Sequence, residues 1–164
     1  MERTLKRTII IISMALITAI PVFAIGAVNS PASAAISATA GYPGKFVNVK
    51  KCYSRLNNYR KSKNRVALKR NAALEKVAKV RAKEIVRKFS HTRPNGRSGL
   101  SMIKGNVYKG ENIAMGQKTC REVSIAWYRS PGHRSNMMFK KYRKVGIAGF
   151  KYNGIIYWVQ VFSS

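Results

Sequence analysis

From Asn71 to Phe89 the apolar residues fall at Leu74, Val77, Ala78, Ala82, Ile85 and Phe89, one face of a 3.6-residue repeat, and the opposite face is largely Lys and Arg. That spacing predicts an amphipathic helix with Asn71 as its N-cap. A helical pattern also runs from Val47 to about Lys61, and a third helix starts at Thr119 and ends near Tyr128. Ser130-Pro131 predicts a short fourth helix, with Ser at the cap and Pro at the first helical position. The pattern then changes. Val145 to Lys151 and Ile155 to Phe162 are rich in β-branched and aromatic residues, and Asn153-Gly154 between them is a strong hairpin signal. Residues 91–106, rich in Gly, Ser, Asn and Pro, read as loop. Helices followed by a late antiparallel pair predict an α+β domain.

The first 34 residues do not belong to that domain. Arg3, Lys6 and Arg7 precede an almost wholly apolar run from Ile9 to Ile25, and Pro31-Ala32-Ser33-Ala34 offers an Ala-x-Ala cleavage pattern. This reads as a signal peptide over 1–34, cut after Ala34, so the rest of the chain is expected to be secreted. The rival reading is an uncleaved membrane anchor, since the run is nearly long enough to span a bilayer. No second apolar run of that length follows. Residues 35–46 read as a flexible lead-in and 47–164 as one domain, long enough to build its own core.

Charge adds a second expectation. The chain carries 32 Lys and Arg against five Glu and no Asp, a net +27. Without Arg3, Lys6, Arg7 and Glu2, 29 basic and four acidic residues remain, a net +25. Clusters at 61–70, 76–88 and 140–144 carry much of it. Such a surface attracts polyanions with strong salt dependence, outside a cell anionic wall polymers, acidic lipid headgroups or shed nucleic acid. No motif for specific nucleic-acid recognition is present.

Cys52 and Cys120 are the only cysteines. In an exported chain an even pair is more often a disulfide than a catalytic thiol, although both can stay free. If closed, the loop is worth about 4 kcal/mol in the chain-entropy model.

The candidate chemistry lies between the two histidines, His91 and His133, both in polar, Gly- and Pro-containing contexts. Of the four later carboxylates, Glu75 and Glu84 fall on the basic helix, where Glu84 has Lys88 at i+4 and reads as a surface ion pair. Glu111 and Glu122 fall between the histidines. Each residue also has a plain structural reading. Glu122 stands three residues after Thr119, the spacing of a capping box. Glu111 could bind backbone amides in a loop, His91 could complement a helix C-terminus, and His133 could be an ordinary polar residue.

The surrounding motifs bear on that choice. His91-Thr92-Arg93-Pro94-Asn95-Gly96, Gly110-Glu111-Asn112-Ile113-Ala114, Trp127-Tyr128-Arg129-Ser130-Pro131-Gly132-His133-Arg134-Ser135-Asn136 and Tyr157-Trp158-Val159-Gln160-Val161-Phe162 follow one another in this order. Together they resemble the CAP superfamily, the group of cysteine-rich secretory, venom-antigen and plant pathogenesis-related proteins, and in particular its bacterial secreted members. The resemblance runs from about Val47 to the C-terminus. It implies a three-layer α-β-α sandwich with a central antiparallel sheet, and a cleft formed by His91, Glu111, Glu122 and His133. It further implies extracellular binding of lipids, sterols or partner surfaces, with Zn²⁺ or another divalent ion held in the cleft of some members. With one cysteine pair, the chain departs from the several disulfides of eukaryotic members.

Three functions follow as expectations. The first is a non-enzymatic binding module whose two imidazoles suit a divalent ion. The second is a metal-dependent hydrolase with Glu111 or Glu122 as general base. The third is a cationic adhesion protein acting through its basic surface alone. Neither a Gly-x-Ser-x-Gly elbow nor a His-Glu-x-x-His motif is present.

Overall fold

The computed structural model describes residues 43–105 and 107–164. The expected signal peptide at 1–34 and most of the expected lead-in lie outside the described residues.

Helix α1 covers Lys50–Lys61, α2 Ala72–Arg87, α3 Cys120–Arg129 and α4 Pro131–Met138. The helix starts follow the expected chemistry. The Asn71 side chain accepts a hydrogen bond from the Leu74 amide, and Thr119 accepts one from the Glu122 amide, so each satisfies an amide left orphaned in the first turn. Ser130 occupies the N-cap of α4, but its hydroxyl makes no capping bond there. The helix expected from Val47 starts three residues later, at Lys50.

The strands are β1 (Lys45–Phe46), β2 (Lys69–Arg70), β3 (Lys109–Met115), β4 (Lys144–Tyr152) and β5 (Ile155–Ser163). Their order across the sheet is β1-β4-β5-β3, all antiparallel, while short β2 lies parallel to the start of β4. The expected hairpin is β4–β5. Asn153 and Gly154 have φ of 45° and 79°, the left-handed pair that a tight two-residue hairpin needs. Two differences stand out. Lys45 and Phe46, read as the end of a flexible lead-in, pair with Lys151 and Phe150. The Gly110–Ala114 stretch, not read as a strand, is the middle of β3 and pairs with β5 in the register Glu111↔Val161 and Asn112↔Gln160.

Both faces of the sheet are covered, which is why β4 and β5 read as nearly continuous apolar runs. On one face Val145, Ile147, Trp158, Phe162 and Ala114 pack with Cys52, Leu56, Val123, Trp127 and Met137 of α1, α3 and α4. On the other, Ala148, Phe150, Val159, Val161 and Ile113 pack against Leu74, Ala78, Ala82 and Ile85 of α2. Three helices, a sheet and one helix make the α-β-α sandwich of an α+β domain. Cys52 of α1 and Cys120, the first residue of α3, form a disulfide, so the pair left open by the sequence is closed. No described helix is long and apolar enough to cross a membrane.

Candidate functional site

Strand β3 forms one edge of the sheet, and its successive side chains point to opposite faces. Glu111 therefore turns toward α2, and Asn112 toward α4. Burial of a carboxylate needs a paired charge, and α2 supplies it. Arg81, fully buried, donates from Nε to Glu111 Oε2 at 2.7 Å and from Nη2 to Oε1 at 3.2 Å. The same guanidinium donates to Glu84 Oε2 at 2.8 Å and to the Ser90 carbonyl at 2.5 Å. Glu84 is then completed by Arg93, whose Nη2 donates to Oε1 at 2.7 Å. The expected Glu84–Lys88 pair is thus replaced by Arg81 and Arg93, because Glu84 turns toward the buried guanidinium rather than along the solvent face. Opposing Arg partners outweigh desolvation and hold the Glu84 carboxyl below its ordinary range.

His91 follows directly after Ser90, and its Nδ1 lies 2.9 Å from Glu111 Oε1. A carboxylate can only accept, so Nδ1 carries a proton in this contact, and the uncharged form of the ring would keep its lone pair on Nε2. The His91 carbonyl accepts from the Gly99 amide at 2.8 Å, closing the loop over the site. Gly99 is fitted to the pair beneath it. A Cβ at this position would stand 2.7 Å from Arg81 Nε and 2.9 Å from Glu111 Oε2.

His133 reaches the same edge from the other face, in the first turn of α4. Asn112 Nδ2 donates to the His133 carbonyl and to Gln160 Oε1, each at 3.1 Å. Asn136 of α4 donates to Asn112 Oδ1 at 3.0 Å and to the Glu111 carbonyl at 3.2 Å. These amides fasten α4 to β3 and fix where the His133 ring stands. The ring is 3% exposed, and its Nε2 is buried without a hydrogen-bond partner. Burial first, and the neighbouring charge of His91 second, push His133 down to about 4.

The structure joins His91 to Glu111 at 2.9 Å, sets His133 close enough to His91 to interact with it electrostatically, and holds Glu122 elsewhere. Glu122 stays at the start of α3, where its carboxylate accepts from the Lys118 amide at 2.9 Å and the Thr119 hydroxyl at 3.0 Å. It is a capping box, exposed to solvent, and its expected place in the cleft is corrected accordingly: the orphaned first-turn amides already claim it. Among the described residues no three His, Cys, Asp or Glu side chains gather as a metal site would require. What converges is two imidazoles, with Glu111 orienting one of them and Arg81 neutralising Glu111. Arg81, Asn112, Asn136 and Gly99 were not singled out from the sequence. Arg81 is one cation in a run of many, and only its α2 position, on the side that faces β3, separates it from its neighbours.

Comparison with known proteins gives the family. Residues 53–162 match the family described as CAP, Cysteine-rich secretory protein family. The chain is 34% identical over 136 residues to the uncharacterized protein YkwD of Bacillus subtilis, covering 79% of this chain and 50% of that protein. It therefore spans about half the length of that relative. An outer surface protein of Borrelia burgdorferi superposes with a TM-score of 0.65 at 25% identity, covering 74% of this chain and 98% of that one. An extracellular Bacillus anthracis protein containing an SCP domain superposes with a TM-score of 0.62 at 22% identity, covering 70% of this chain and 39% of that one, a likeness of fold. With the family matched over most of the described residues, this chain belongs to the CAP, or cysteine-rich secretory protein, family.

Proposed function

We propose that the chain is secreted and acts outside the cell as a non-enzymatic binding module, with the His91–His133 edge of β3 as its cleft. The observation that carries this reading is the buried, unpartnered Nε2 of His133 beside His91, whose own Nε2 is left free by the Nδ1–Glu111 contact. A buried polar atom without a partner is costly, and a ligand in the cleft would satisfy it. In this reading the ligand is a divalent cation, for which the protein offers two imidazole nitrogens and no third His, Cys, Asp or Glu among the described residues. Nitrogen ligands of this kind suit Zn²⁺, and a carboxylate behind a ligating imidazole fixes its tautomer and orientation. His91 and His133 would hold the ion, Glu111 would orient His91, and water would complete the coordination. A bound ion would supply a positive centre able to accept an anionic or carbonyl oxygen of a ligand.

The hydrolase reading is weaker on one observation. Glu111, the carboxylate at the cleft, has both oxygens engaged by Arg81 and one of them also by His91. A general base needs an oxygen free to take a proton, and here both oxygens already accept hydrogen bonds. The test is calorimetric titration of Zn²⁺ into the protein and into His91→Ala/His133→Ala. One-site binding lost in the double variant supports the reading. Equal heats from both proteins, or none from either, would remove the ion from it.

A further inference from the structure

Away from Arg81, toward the opposite edge of the sheet, α2 carries a surface of different character. Lys76, Lys79, Lys83 and Arg87 are exposed and recur at spacings of three and four, so they lie along one side of the helix. Val80, 43% exposed, sits among them. Phe46 of edge strand β1, 39% exposed, stands against this stripe. The ammonium groups of Lys79 and Lys83 each lie 5.5 Å from the centre of its ring, and the ring packs on Phe150 at 5.2 Å. The two carboxylates of α2 are engaged mainly by other groups, with Lys79 only a minor electrostatic neighbour of Glu75. Glu75 is held by Arg70 and by the Tyr53 hydroxyl, and Glu84 by Arg81 and Arg93.

Within the fold this arrangement is unfavourable. Lys79–Lys83 and Lys83–Arg87 are like charges at i,i+4, which destabilise a helix, and Phe46 and Val80 leave apolar area in water. Both costs are recovered together at a partner that offers anionic groups beside an apolar interior. A hydrated linear polyanion would satisfy the cations and leave Val80 and Phe46 wet. The boundary of an anionic bilayer satisfies both, with Lys and Arg at the phosphates and the apolar side chains among the upper acyl carbons. We infer that the Phe46–α2 surface docks on an anionic lipid bilayer, laying α2 against the membrane. Because Phe46 is at the β1 edge and Glu111 at the β3 edge, the inference stands apart from the cleft and does not depend on whether an ion binds there.

The experiment is co-sedimentation of the full chain with vesicles of phosphatidylcholine alone and of phosphatidylcholine mixed with phosphatidylglycerol. Binding that any apolar N-terminal segment contributes is common to both lipids and to every variant, so the readout is the excess on the anionic vesicles. That excess should shrink with added salt and fall about tenfold or more in Lys79→Glu/Lys83→Glu, given roughly 1 kcal/mol for each cation near such a surface. Phe46→Ser and, separately, Val80→Ser keep every cation and should each lower it several-fold, with circular dichroism reporting that the fold is intact. Val80→Ser carries the test if Phe46→Ser loosens β1. Undiminished binding in both serine variants, with loss only on charge reversal, would make the surface a general polyanion site and overturn the bilayer assignment. Undiminished binding on charge reversal would overturn the surface itself.

Discussion

Glu111 and Asn112 are neighbours in β3 that serve opposite layers of the sandwich. Glu111 meets Arg81 of α2 at 2.7 Å on one face, and Asn112 meets the His133 carbonyl of α4 at 3.1 Å on the other. One edge strand thereby sets the positions of both imidazoles: His91 through Glu111, and His133 through Asn112 and Asn136. The placement of these two histidines is therefore tied to the sandwich, since α2 and α4 could not shift independently without breaking one of these contacts.

The Arg81–Glu111 pair predicts a large asymmetry between single and double substitutions. Arg81→Met leaves Glu111 buried and uncompensated, and breaking such a pair costs about 3–5 kcal/mol. Arg81→Met/Glu111→Leu removes both charges and should recover most of that loss. Urea denaturation of the single and double variants checks this. Additive losses in the double variant would show that the two residues are not energetically coupled.

Gly99 should behave as part of the same unit. An added Cβ would press on Arg81 Nε and Glu111 Oε2, and neither can yield without lengthening a buried, charged hydrogen bond. Gly99→Ala is expected to cost about 1–3 kcal/mol, the usual penalty for overpacking. In the Arg81→Met/Glu111→Leu background the cost should shrink, because flexible apolar tips replace the fixed charges. An unchanged cost there would place the strain elsewhere.

Much of this was legible in the residues, for reasons that also explain what was not. The repeat from Leu74 to Ile85, the Asn71 and Thr119 caps and the Asn153-Gly154 turn are local signals, and each element formed where its own chemistry puts it. Strand β3 was hidden because Glu111 and Asn112 are both polar yet both buried, so the alternation that marks a half-exposed strand is missing. Their partners, Arg81 and the His133 carbonyl, are 30 and 21 residues away. Glu122 misled for the reverse reason: a Glu three residues after a Thr satisfies a helix start from purely local contacts, and the same residue type is what a cleft would also use. Resemblance drew attention to His91, Glu111 and His133, but only the packing of α2 on β3 could show that Arg81 is the partner of Glu111.

His133 predicts how stability responds to mild acid. Its folded value, about 4, lies below the ordinary value of 6.5, so the unfolded chain binds the proton more readily. Its contribution is therefore complete above about pH 6.5, is lost progressively as pH falls from there to about 4, and changes no further below that. The size of the effect is on the order of 3 kcal/mol. Glu75 and Glu84, held below their ordinary values by arginines, lose their contributions only at lower pH. Melting temperatures of the metal-free protein across this range should slope downward toward acid, and the slope between about pH 6.5 and 4 should flatten in His133→Gln. An equal slope in both proteins would assign it to another group.

The Cys52–Cys120 bond gives the last prediction, and it concerns the unfolded chain more than the folded one. In the native state α1 and α3 already pack against each other around Leu56, Val123 and Trp127, so the bond adds little to the positioning of the helices. In the unfolded state it closes a loop between residues 68 apart in sequence, and the chain-entropy model values that constraint at about 4 kcal/mol. Cys52→Ser/Cys120→Ser should therefore stay folded at neutral pH with unchanged near-ultraviolet circular dichroism, but unfold at a lower urea midpoint. Its m-value should also rise, because an uncrosslinked chain exposes more surface on unfolding. A lower midpoint with the same m-value would mean that the bond acts on native packing instead. An unchanged midpoint would mean that the loop is already closed in the unfolded ensemble by other contacts.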